Sequence, residues 1–264
     1  MDDTTRSLAR PLALVTGASS GIGRELAREL AERGYDLIVV AEDDAIHEVA
    51  RELDAITAAR AVQADLATTA GNLATLAALD DDPRRPAAAA INAGVGVGGP
   101  LVDTDLDDHL RLVAVNVTST VHLGKAVAER MVAEGDGRLL FTSSIASQMP
   151  GPLNTTYAAS KSFVQSFAEG LRQELRDSGV TVTALMPGPT DTDFFDRADL
   201  EGTHLDEGHK DGAEQVARQG VDAMLEGRDH VVTGTRLNAI QAALSSLLPD
   251  PLKAKLHGKM NSPT

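Results

Sequence analysis

Short apolar runs alternate along the chain with longer segments in which apolar residues recur every three or four positions. The short runs are apolar on both faces, which is typical of buried strands in a parallel sheet, and the longer ones have the periodicity of amphipathic helices. The predicted strands are Leu12–Val15, Leu37–Ala41, Ala59–Ala64, Ala88–Ile91, Arg138–Thr142, Val180–Met186 and His230–Val232. The predicted helices are Ile22–Arg33, Ala45–Asp54, Thr69–Leu79, Leu106–Glu134, Tyr157–Asp177 and Ala213–Glu226.

This alternation predicts an α/β fold, a doubly wound parallel β-sheet of about seven strands with helices on both faces, of the Rossmann type. After Met186 the sequence Pro187-Gly188-Pro189 ends the strand pattern, and a long polar, irregular segment follows. A loop of that length at the carboxyl edge of a sheet is typical of a functional lid. We predict a single catalytic domain over residues 1–264, with a tail at 1–10, a substrate-lid loop at 190–212 and a C-terminal helical extension at 235–264.

Composition narrows the classes of function. The chain of 264 residues has a formal net charge of −15, which argues against nucleic acid as a partner. It has no cysteine, which excludes disulfides, thiolate zinc sites and a cysteine nucleophile, and its histidines lack a metal-ligand spacing. The acidic start is unlike a secretory signal, and no apolar run reaches the roughly 18 residues of a membrane span, so we expect a cytoplasmic protein with no membrane span and no metal.

A glycine-rich turn joins the first predicted strand to the first predicted helix. Glycine allows a tight turn and a close approach of the backbone to a pyrophosphate, and the helix N-terminus supplies free N–H groups. The strand before the turn and the amphipathic helix after it are the context that a dinucleotide site requires. The predicted cofactor contacts of this turn are Gly17, Ser19, Ser20, Gly21, Ile22 and Gly23.

Three carboxylates, Glu42, Asp43 and Asp44, follow the second predicted strand. A carboxylate there accepts a hydrogen bond from a ribose hydroxyl and repels a 2′-phosphate, and no lysine or arginine adjoins them in the sequence. The pattern therefore favours NAD, with NADP possible. Two alternatives stay open: the acids simply begin the next helix, or Arg24 turns toward a phosphate.

Ser144, Tyr157 and Lys161 carry the candidate chemistry. Tyr157 and Lys161 are four residues apart, so on a helix both side chains project from one face. An ammonium beside a phenol lowers the phenol pKa from its ordinary value of about 10, which allows the phenol to exchange a proton with a substrate oxygen. Together with the glycine turn, these residues predict hydride chemistry on an alcohol or carbonyl.

Further motifs follow in a recognisable order. With the residues above, they make the chain resemble the short-chain dehydrogenase/reductase family, in its single-domain branch with a Y-x-x-x-K active site, from about Pro11 to Val232. The family often has Asn-Asn-Ala-Gly where this chain has Ile91 before Asn92. The additional motif residues are Asp65, Leu66, Asn92, Ala93, Gly94, Asn116, Pro187, Gly188, Thr190 and Thr192.

The resemblance implies an NAD(P)-dependent oxidoreductase acting on a secondary alcohol or ketone. Tyr157 would be the general acid/base, Ser144 would hold the substrate oxygen, and Lys161 would lower the Tyr157 pKa and bind the nicotinamide ribose. Asn116 would fix a water that links Lys161 to solvent. The motif residues listed above, with Glu42 at the ribose, Asp65 at the adenine, and Thr190 and Thr192 at the carboxamide, would complete the cofactor site.

Alternatives remain for several of these residues. Asp65 can cap a helix, and Asn116 can bond only backbone groups. A protein that binds a dinucleotide as a sensor or scaffold without catalysis is the alternative function, and an epimerase would need a larger C-terminal domain. The predicted helices Leu106–Glu134 and Tyr157–Asp177 resemble those of the family's dimer interface, so we expect a homodimer or homotetramer acting on a small, neutral, moderately hydrophobic molecule.

Overall fold

The structure of the chain is a computed structural model. The predicted tail at 1–10 and the predicted extension at 235–264 lie outside the described residues, except for Arg10 and a few C-terminal positions. Among the described helices, none is both long and apolar enough to cross a lipid bilayer. The structure describes residues 10–198, 200, 202–204, 206–234, 254 and 257–262.

The seven predicted strands form one sheet. The strands of the chain are β1 Leu12–Thr16, β2 Asp36–Ala41, β3 Ala59–Gln63, β4 Pro86–Ile91, β5 Gly137–Thr142, β6 Val180–Met186, β7 Thr190–Asp191, β8 Asp211–Gly212 and β9 His230–Val232. The order in the sheet is β3-β2-β1-β4-β5-β6-β9. Every pairing in it is parallel, and buried clusters of apolar side chains pack on both faces. The predicted doubly wound, Rossmann-type fold is therefore confirmed.

Helices connect the strands and cover the sheet. Their bounds agree with the predicted ones to within about three residues, with one interruption described below. The α-helices are α1 Gly21–Glu32, α2 Ala45–Leu53, α3 Thr69–Asp80, α4 Leu106–Val113, α5 Thr120–Glu134, α6 Thr155–Glu174, α7 Phe194–Arg197 and α8 Ala213–Leu225.

The alanine-rich strand β4 shows how tertiary context overrides local propensity. Alanine favours helix, yet Ala88, Ala89 and Ala90 pair with β1 on one side and β5 on the other. All three side chains are fully buried. Small side chains at the centre of the sheet let the covering helices approach closely, so β4 contributes its backbone ladder more than its side-chain volume.

The long helix predicted over Leu106–Glu134 is interrupted. A π-helical segment, Ala114–Ser119, separates α4 from α5. A π-turn inserts one residue into the helical ladder and rotates the side chains that follow. The segment contains Asn116, whose side chain is buried. Hydrophobic periodicity extends across both helices and does not register this insertion.

The predicted irregular segment over residues 190–212 has more order than its sequence suggests. Strands β7 and β8, at its two ends, pair in parallel, with Thr190 opposite Asp211. The short helix α7 follows β7, and Phe195 and Leu200 are buried in a small apolar cluster with Ala198. The segment is thus anchored at both ends and packs through its own apolar side chains.

Gly179 and Gly135, in the loops that precede the neighbouring strands β6 and β5, approach each other closely. Gly179, before β6, has φ of +82°, and a Cβ there would lie 1.9 Å from the Gly135 carbonyl oxygen. Alanine at this position would meet both left-handed strain and a backbone collision. Gly170, on an exposed face of α6, has no atom within 4 Å of such a Cβ.

We therefore expect Gly179→Ala and Gly170→Ala to change stability in opposite directions. The first should lower the free energy of unfolding by at least about 2 kcal/mol. The second should raise it by roughly 0.5–1 kcal/mol, because alanine is the better helix former. Urea unfolding of the two variants beside the parent chain measures both changes, and a Gly179→Ala variant of parental stability would contradict the described turn.

Candidate active site and cofactor cleft

One cleft at the carboxyl edge of the sheet collects the residues singled out from the sequence. It runs from the glycine turn after β1, past the ends of β4 and β5, to the segment that follows β6. Asn116 lies just behind it and contacts Val95, which lines it. The predicted residues that line the cleft are Gly17, Ser19, Ser20, Gly21, Ile22, Gly23, Glu42, Asp65, Leu66, Asn92, Ala93, Gly94, Ser144, Tyr157, Lys161, Pro187, Gly188, Thr190 and Thr192.

The Asn92 side chain joins the ends of three neighbouring strands. Its Nδ2 donates to the Thr16 carbonyl oxygen at 3.1 Å, and its Oδ1 accepts from Thr142 Oγ1 at 2.9 Å. In return, Thr16 Oγ1 accepts from the backbone N–H groups of Asn92 and Ala93, at 2.9 and 3.0 Å. The ends of β1, β4 and β5 are therefore held in one hydrogen-bonded arrangement beneath the cleft.

The glycine turn fits a dinucleotide pyrophosphate. Gly17 has φ of +66°, and a Cβ there would lie 2.8 Å from Ala93 Cα. A Cβ on Gly23 would lie 1.9 Å from the Gly17 carbonyl oxygen. Helix α1 begins at this turn, and its Ser20 N-cap makes no side-chain cap hydrogen bond. The tight backbone and the N–H groups of the first helical turn suit an anionic ligand in the cleft.

At the far end of the cleft, an arginine that the sequence analysis missed contacts two carboxylates. Arg111, on α4, donates to Asp65 at 3.0 and 3.1 Å and also to Glu42. The Arg111 hydrogen bonds hold the pKa of the Asp65 carboxyl below its ordinary value. No sequence signal marked Arg111, since β2, β3 and α4 are far apart in the chain.

The structure shows the hydrogen-bond partners of these acids and of Arg24. Helix α3 is capped by Thr68, whose Oγ1 accepts from Gly71 N at 2.9 Å, so Asp65 does not serve as that cap. Asp43 does support the start of α2, accepting from Ala45 N at 3.1 Å, while Glu42 faces Arg111 instead. Arg24 pairs with Glu52 and is not directed at the cleft.

Lys161 is buried at the floor of the cleft. Its ammonium donates to the Thr142 carbonyl oxygen at 2.9 Å and lies 5.6 Å from the centroid of the Tyr157 ring. Burial lowers the pKa of Lys161 to about 8, because a low-dielectric surrounding disfavours the charged form. The side chain is still mostly protonated at neutral pH and presents a positive charge beside the phenol.

Tyr157 is partly buried, and its pKa moves in the direction opposite to that expected from the sequence. Burial raises the pKa of Tyr157 to about 12, and a hydrogen bond with Ser144 offsets only part of that rise. The Phe194 ring covers the phenol, with 5.2 Å between ring centroids. Burial disfavours the phenolate and outweighs the Ser144 hydrogen bond, which favours it.

Ser144 and Asn116 are both held by hydrogen bonds near this pair. Ser144 Oγ accepts from Ala146 N at 3.1 Å and caps a short 3-10 turn, which fixes the hydroxyl at the cleft wall. Asn116 Nδ2 donates to the Val95 carbonyl oxygen and to Ser160 Oγ, each at 2.9 Å. Its Oδ1 accepts from Val95 N, also at 2.9 Å. The amide keeps one acceptor lone pair for a water, so its predicted role stays a prediction.

The lid residues close over the cleft from the β6 side. Thr190 Oγ1 donates to the Gly188 carbonyl oxygen at 3.0 Å, which leaves its lone pairs available to a donor in the cleft. The Ala198 carbonyl oxygen accepts from Gly98 N at 2.7 Å. A Cβ on Gly96 would lie only 2.7 Å from the Phe194 ring. The glycine-rich loop after β4 thus provides the space into which the lid aromatic fits.

The C-terminal residues supply another wall that the sequence analysis missed. His257 and Met260 both line the cleft. His257 is buried, and its Nδ1 lies 3.0 Å from the Pro150 carbonyl oxygen. Burial lowers the pKa of His257, which favours a neutral imidazole. No motif identified it, because the Pro150 carbonyl oxygen that it contacts is 107 positions away in the chain.

Known proteins are similar to this chain in sequence and in architecture. The family model described as short chain dehydrogenase matches residues 11–201. Sulfoacetaldehyde reductase 2 of Chromohalobacter salexigens is 32% identical over 186 residues, which cover 69% of this chain and 74% of that protein.

Two solved structures are similar over most of their length. A short-chain dehydrogenase from Sphingobium yanoikuyae in complex with NADPH is 30% identical, with a TM-score of 0.79 over 90% of this chain and 94% of that one. A short chain dehydrogenase/reductase from Burkholderia phymatum in complex with NAD is 26% identical, with a TM-score of 0.81 over 89% and 92%. Both structures contain a nicotinamide cofactor, but only the first cofactor, NADPH, carries a 2′-phosphate.

The cover of Tyr157 by Phe194 predicts a measurable titration. The chain has 2 tyrosines and no tryptophan, so Tyr35→Phe leaves Tyr157 as the one phenol that absorbs as tyrosinate. In that background, Phe194→Ala should lower the Tyr157 pKa from about 12 toward the ordinary value of about 10. Stopped-flow pH jumps record the titration before alkaline unfolding sets in. Phe163→Ala, which removes a ring stacked on Phe167 instead, should leave the pKa unchanged; a shift of equal size in both variants would contradict the shielding.

Proposed function

The chain belongs to the short-chain dehydrogenase family and is an oxidoreductase that uses a nicotinamide cofactor, and from that premise we propose that it interconverts a secondary alcohol and a ketone with Tyr157 as general acid/base. The observation that supports this most directly is the meeting of three groups beside the glycine turn. Tyr157, Ser144 and Lys161 line the same cleft as Gly17 and Gly21. A bound nicotinamide cofactor would supply or accept the hydride.

Proton transfer falls to the chain's own residues. With a pKa of about 12, the Tyr157 phenol is protonated at neutral pH and can donate to a substrate oxygen that gains charge during reduction. In the reverse direction the phenol must lose its proton, and the Lys161 ammonium, 5.6 Å from the ring centroid, favours that loss. The Ser144 hydroxyl is placed to hold the same substrate oxygen.

We assign resupply of the proton to the buried groups behind the phenol. Lys161, with a pKa of about 8, can give up a proton and regain it near neutral pH. Asn116 lies behind it, with one acceptor lone pair on Oδ1 for a bridging water. A proton relay from Tyr157 through Lys161 to a water at Asn116 would connect the reacting oxygen to solvent.

NAD is the cofactor we favour, with NADP as the alternative. Glu42 lines the end of the cleft opposite Tyr157 and is the carboxylate that a 2′-phosphate would approach. Asp65 lines the same end, where an adenine would lie. Thr190 and Thr192, on the β6 side, would accept from the carboxamide. We expect an equilibrium titration followed by cofactor fluorescence to give tighter binding of NADH than of NADPH, and the reverse order would contradict the carboxylate argument.

For the substrate we propose a small, neutral, moderately hydrophobic carbonyl compound or alcohol. Phe194 and Leu200, from the lid over residues 190–212, line the cleft beside Met149 and Met260. These apolar side chains favour an uncharged substrate, while the acidic lid residues disfavour an anion. One relative is named as a sulfoacetaldehyde reductase, which supports carbonyl chemistry.

We also propose self-association through α4 and α6. Leu106, Leu110 and Val113 form an exposed apolar stripe along α4, and Phe163 is exposed on α6. Such a stripe on neighbouring helices suits burial against a second copy. Val164, the next residue along α6, is instead buried in the core of its own chain. Light scattering after size-exclusion chromatography would give a dimer or tetramer mass.

Replacing Tyr157 tests the proposed mechanism. With any ketone that the parent protein reduces, Tyr157→Phe should lower kcat by at least about 100-fold, because the proton donor is removed. The dissociation constant of NADH should change less than about threefold, since the cleft keeps its shape. Tyr35→Phe is the matched control and should retain the parental rate. Full activity in Tyr157→Phe would contradict the assignment, and cofactor binding without turnover of any carbonyl by the parent protein would favour the sensor or scaffold.

A further inference from the structure

Arg111 is tied to the two carboxylates that border the end of the cleft opposite Tyr157. Its guanidinium donates to both oxygens of Asp65 and to one oxygen of Glu42. Both carboxylates line the cleft. The negative charge expected at this end from the sequence is therefore partly neutralised by a cation from a distant helix.

The other charged groups near this end have partners of their own. Asp43 Oδ2 accepts from Ser19 Oγ at 2.8 Å, and its Oδ1 accepts from Ala45 N at 3.1 Å. Arg24 is paired with Glu52 at 2.5 Å, between α1 and α2, and is not among the residues that line the cleft. The ion pair of Arg111 with Glu42 includes a carboxylate that lines the cleft, and it can rearrange without disturbing a helix start.

Rearrangement of this pair has a low energetic cost. The Arg111 and Glu42 side chains are 41% and 51% exposed. Ion pairs with this exposure contribute little to stability, since water solvates both partners. Arg111 gives Glu42 one charge-assisted hydrogen bond and keeps its two-pronged contact for Asp65. A phosphate oxygen beside Glu42 can therefore replace Glu42 as the acceptor of that one hydrogen bond while Asp65 keeps the other two.

We propose that Arg111 is a cofactor-specificity residue that lets the site accept NADP(H) despite Glu42. This rests on the proposed function, because it places the adenosine ribose at Glu42. With NAD(H), Arg111 stays on Glu42, whose other oxygen is available to a ribose hydroxyl. With NADP(H), the guanidinium leaves Glu42 for the 2′-phosphate and offsets the repulsion from the carboxylate. The site then binds both cofactors, with the difference between them set by Arg111.

Binding titrations test this without a substrate. In Arg111→Met, the affinity for NADPH should fall at least about tenfold more than the affinity for NADH, because the phosphate loses its charge-assisted partner. Arg24→Met removes the same formal charge from a neighbouring helix and should leave the ratio of the two affinities unchanged. Arg111→Lys keeps the charge without the fork and should give an intermediate ratio. Rising salt should weaken NADPH binding more steeply in the parent protein than in Arg111→Met.

The outcomes separate this inference from the proposed function. An unchanged affinity ratio in Arg111→Met, with the thermal midpoint preserved, would show a merely structural ion pair and overturn the inference alone. A parent protein that binds NADH but no NADPH would do the same. If Arg111→Met is poorly folded, the ratio in Arg111→Lys decides in the same way. A parent protein that binds neither cofactor would instead contradict the proposed function.

Discussion

The hydrogen bonds of Asn92 are the constraint on which the site depends. This one side chain links the end of β4 to the Thr16 carbonyl oxygen of β1 and to the Thr142 hydroxyl of β5. Thr16 leads directly into the glycine turn, and the Thr142 carbonyl oxygen accepts from the Lys161 ammonium. The cradle for the cofactor and the charged group beside the phenol are therefore positioned by the same small network. A partly buried amide whose oxygen and nitrogen are both hydrogen-bonded gives that network one geometry.

Around this rigid centre, burial controls the chemistry. Lys161 is buried and Tyr157 is partly buried, which shifts the pKa of the lysine down to about 8 and that of the phenol up to about 12. Each shift favours the neutral form, and both are opposite in direction to the shifts that attraction between an ammonium and a phenolate would produce. The lid aromatic Phe194 is part of that burial, so the lid acts on the phenol as well as on the shape of the cleft.

The two ends of the cleft differ in physical character. Near Tyr157 the Lys161 and Asn116 side chains are buried, whereas Glu42, Asp65 and Arg111 are partly exposed. Buried networks resist rearrangement, while exposed ion pairs exchange partners at little cost. A fixed reacting end and an adaptable recognition end can therefore coexist in one cleft. The sequence motifs account for the fixed end, whereas the adaptable end depends on the contact that Arg111 makes with Glu42 and Asp65.

Much of the architecture was predictable because its causes are local. Hydrophobic periodicity identified the strands and helices, and the glycine turn and the Tyr157–Lys161 spacing carried their geometry in short stretches of sequence. The π-helical turn at Asn116 was missed, because a single inserted residue leaves the apolar pattern intact. The direction of the Tyr157 pKa shift also required the structure, since burial by Phe194 is a contact between distant segments.

Arg111 and His257 were missed for the same reason. Arg111 contacts two carboxylates that line the cleft, and His257 lines it, but both contacts join residues far apart in the chain and neither residue sits in a motif. The sequence by itself determined the order of elements, the place of the cleft and the groups able to carry hydride chemistry, because periodicity and backbone freedom act over a few residues. Only the tertiary structure decided which charges meet and how deeply they are buried, because pKa and ion pairing depend on neighbours in space.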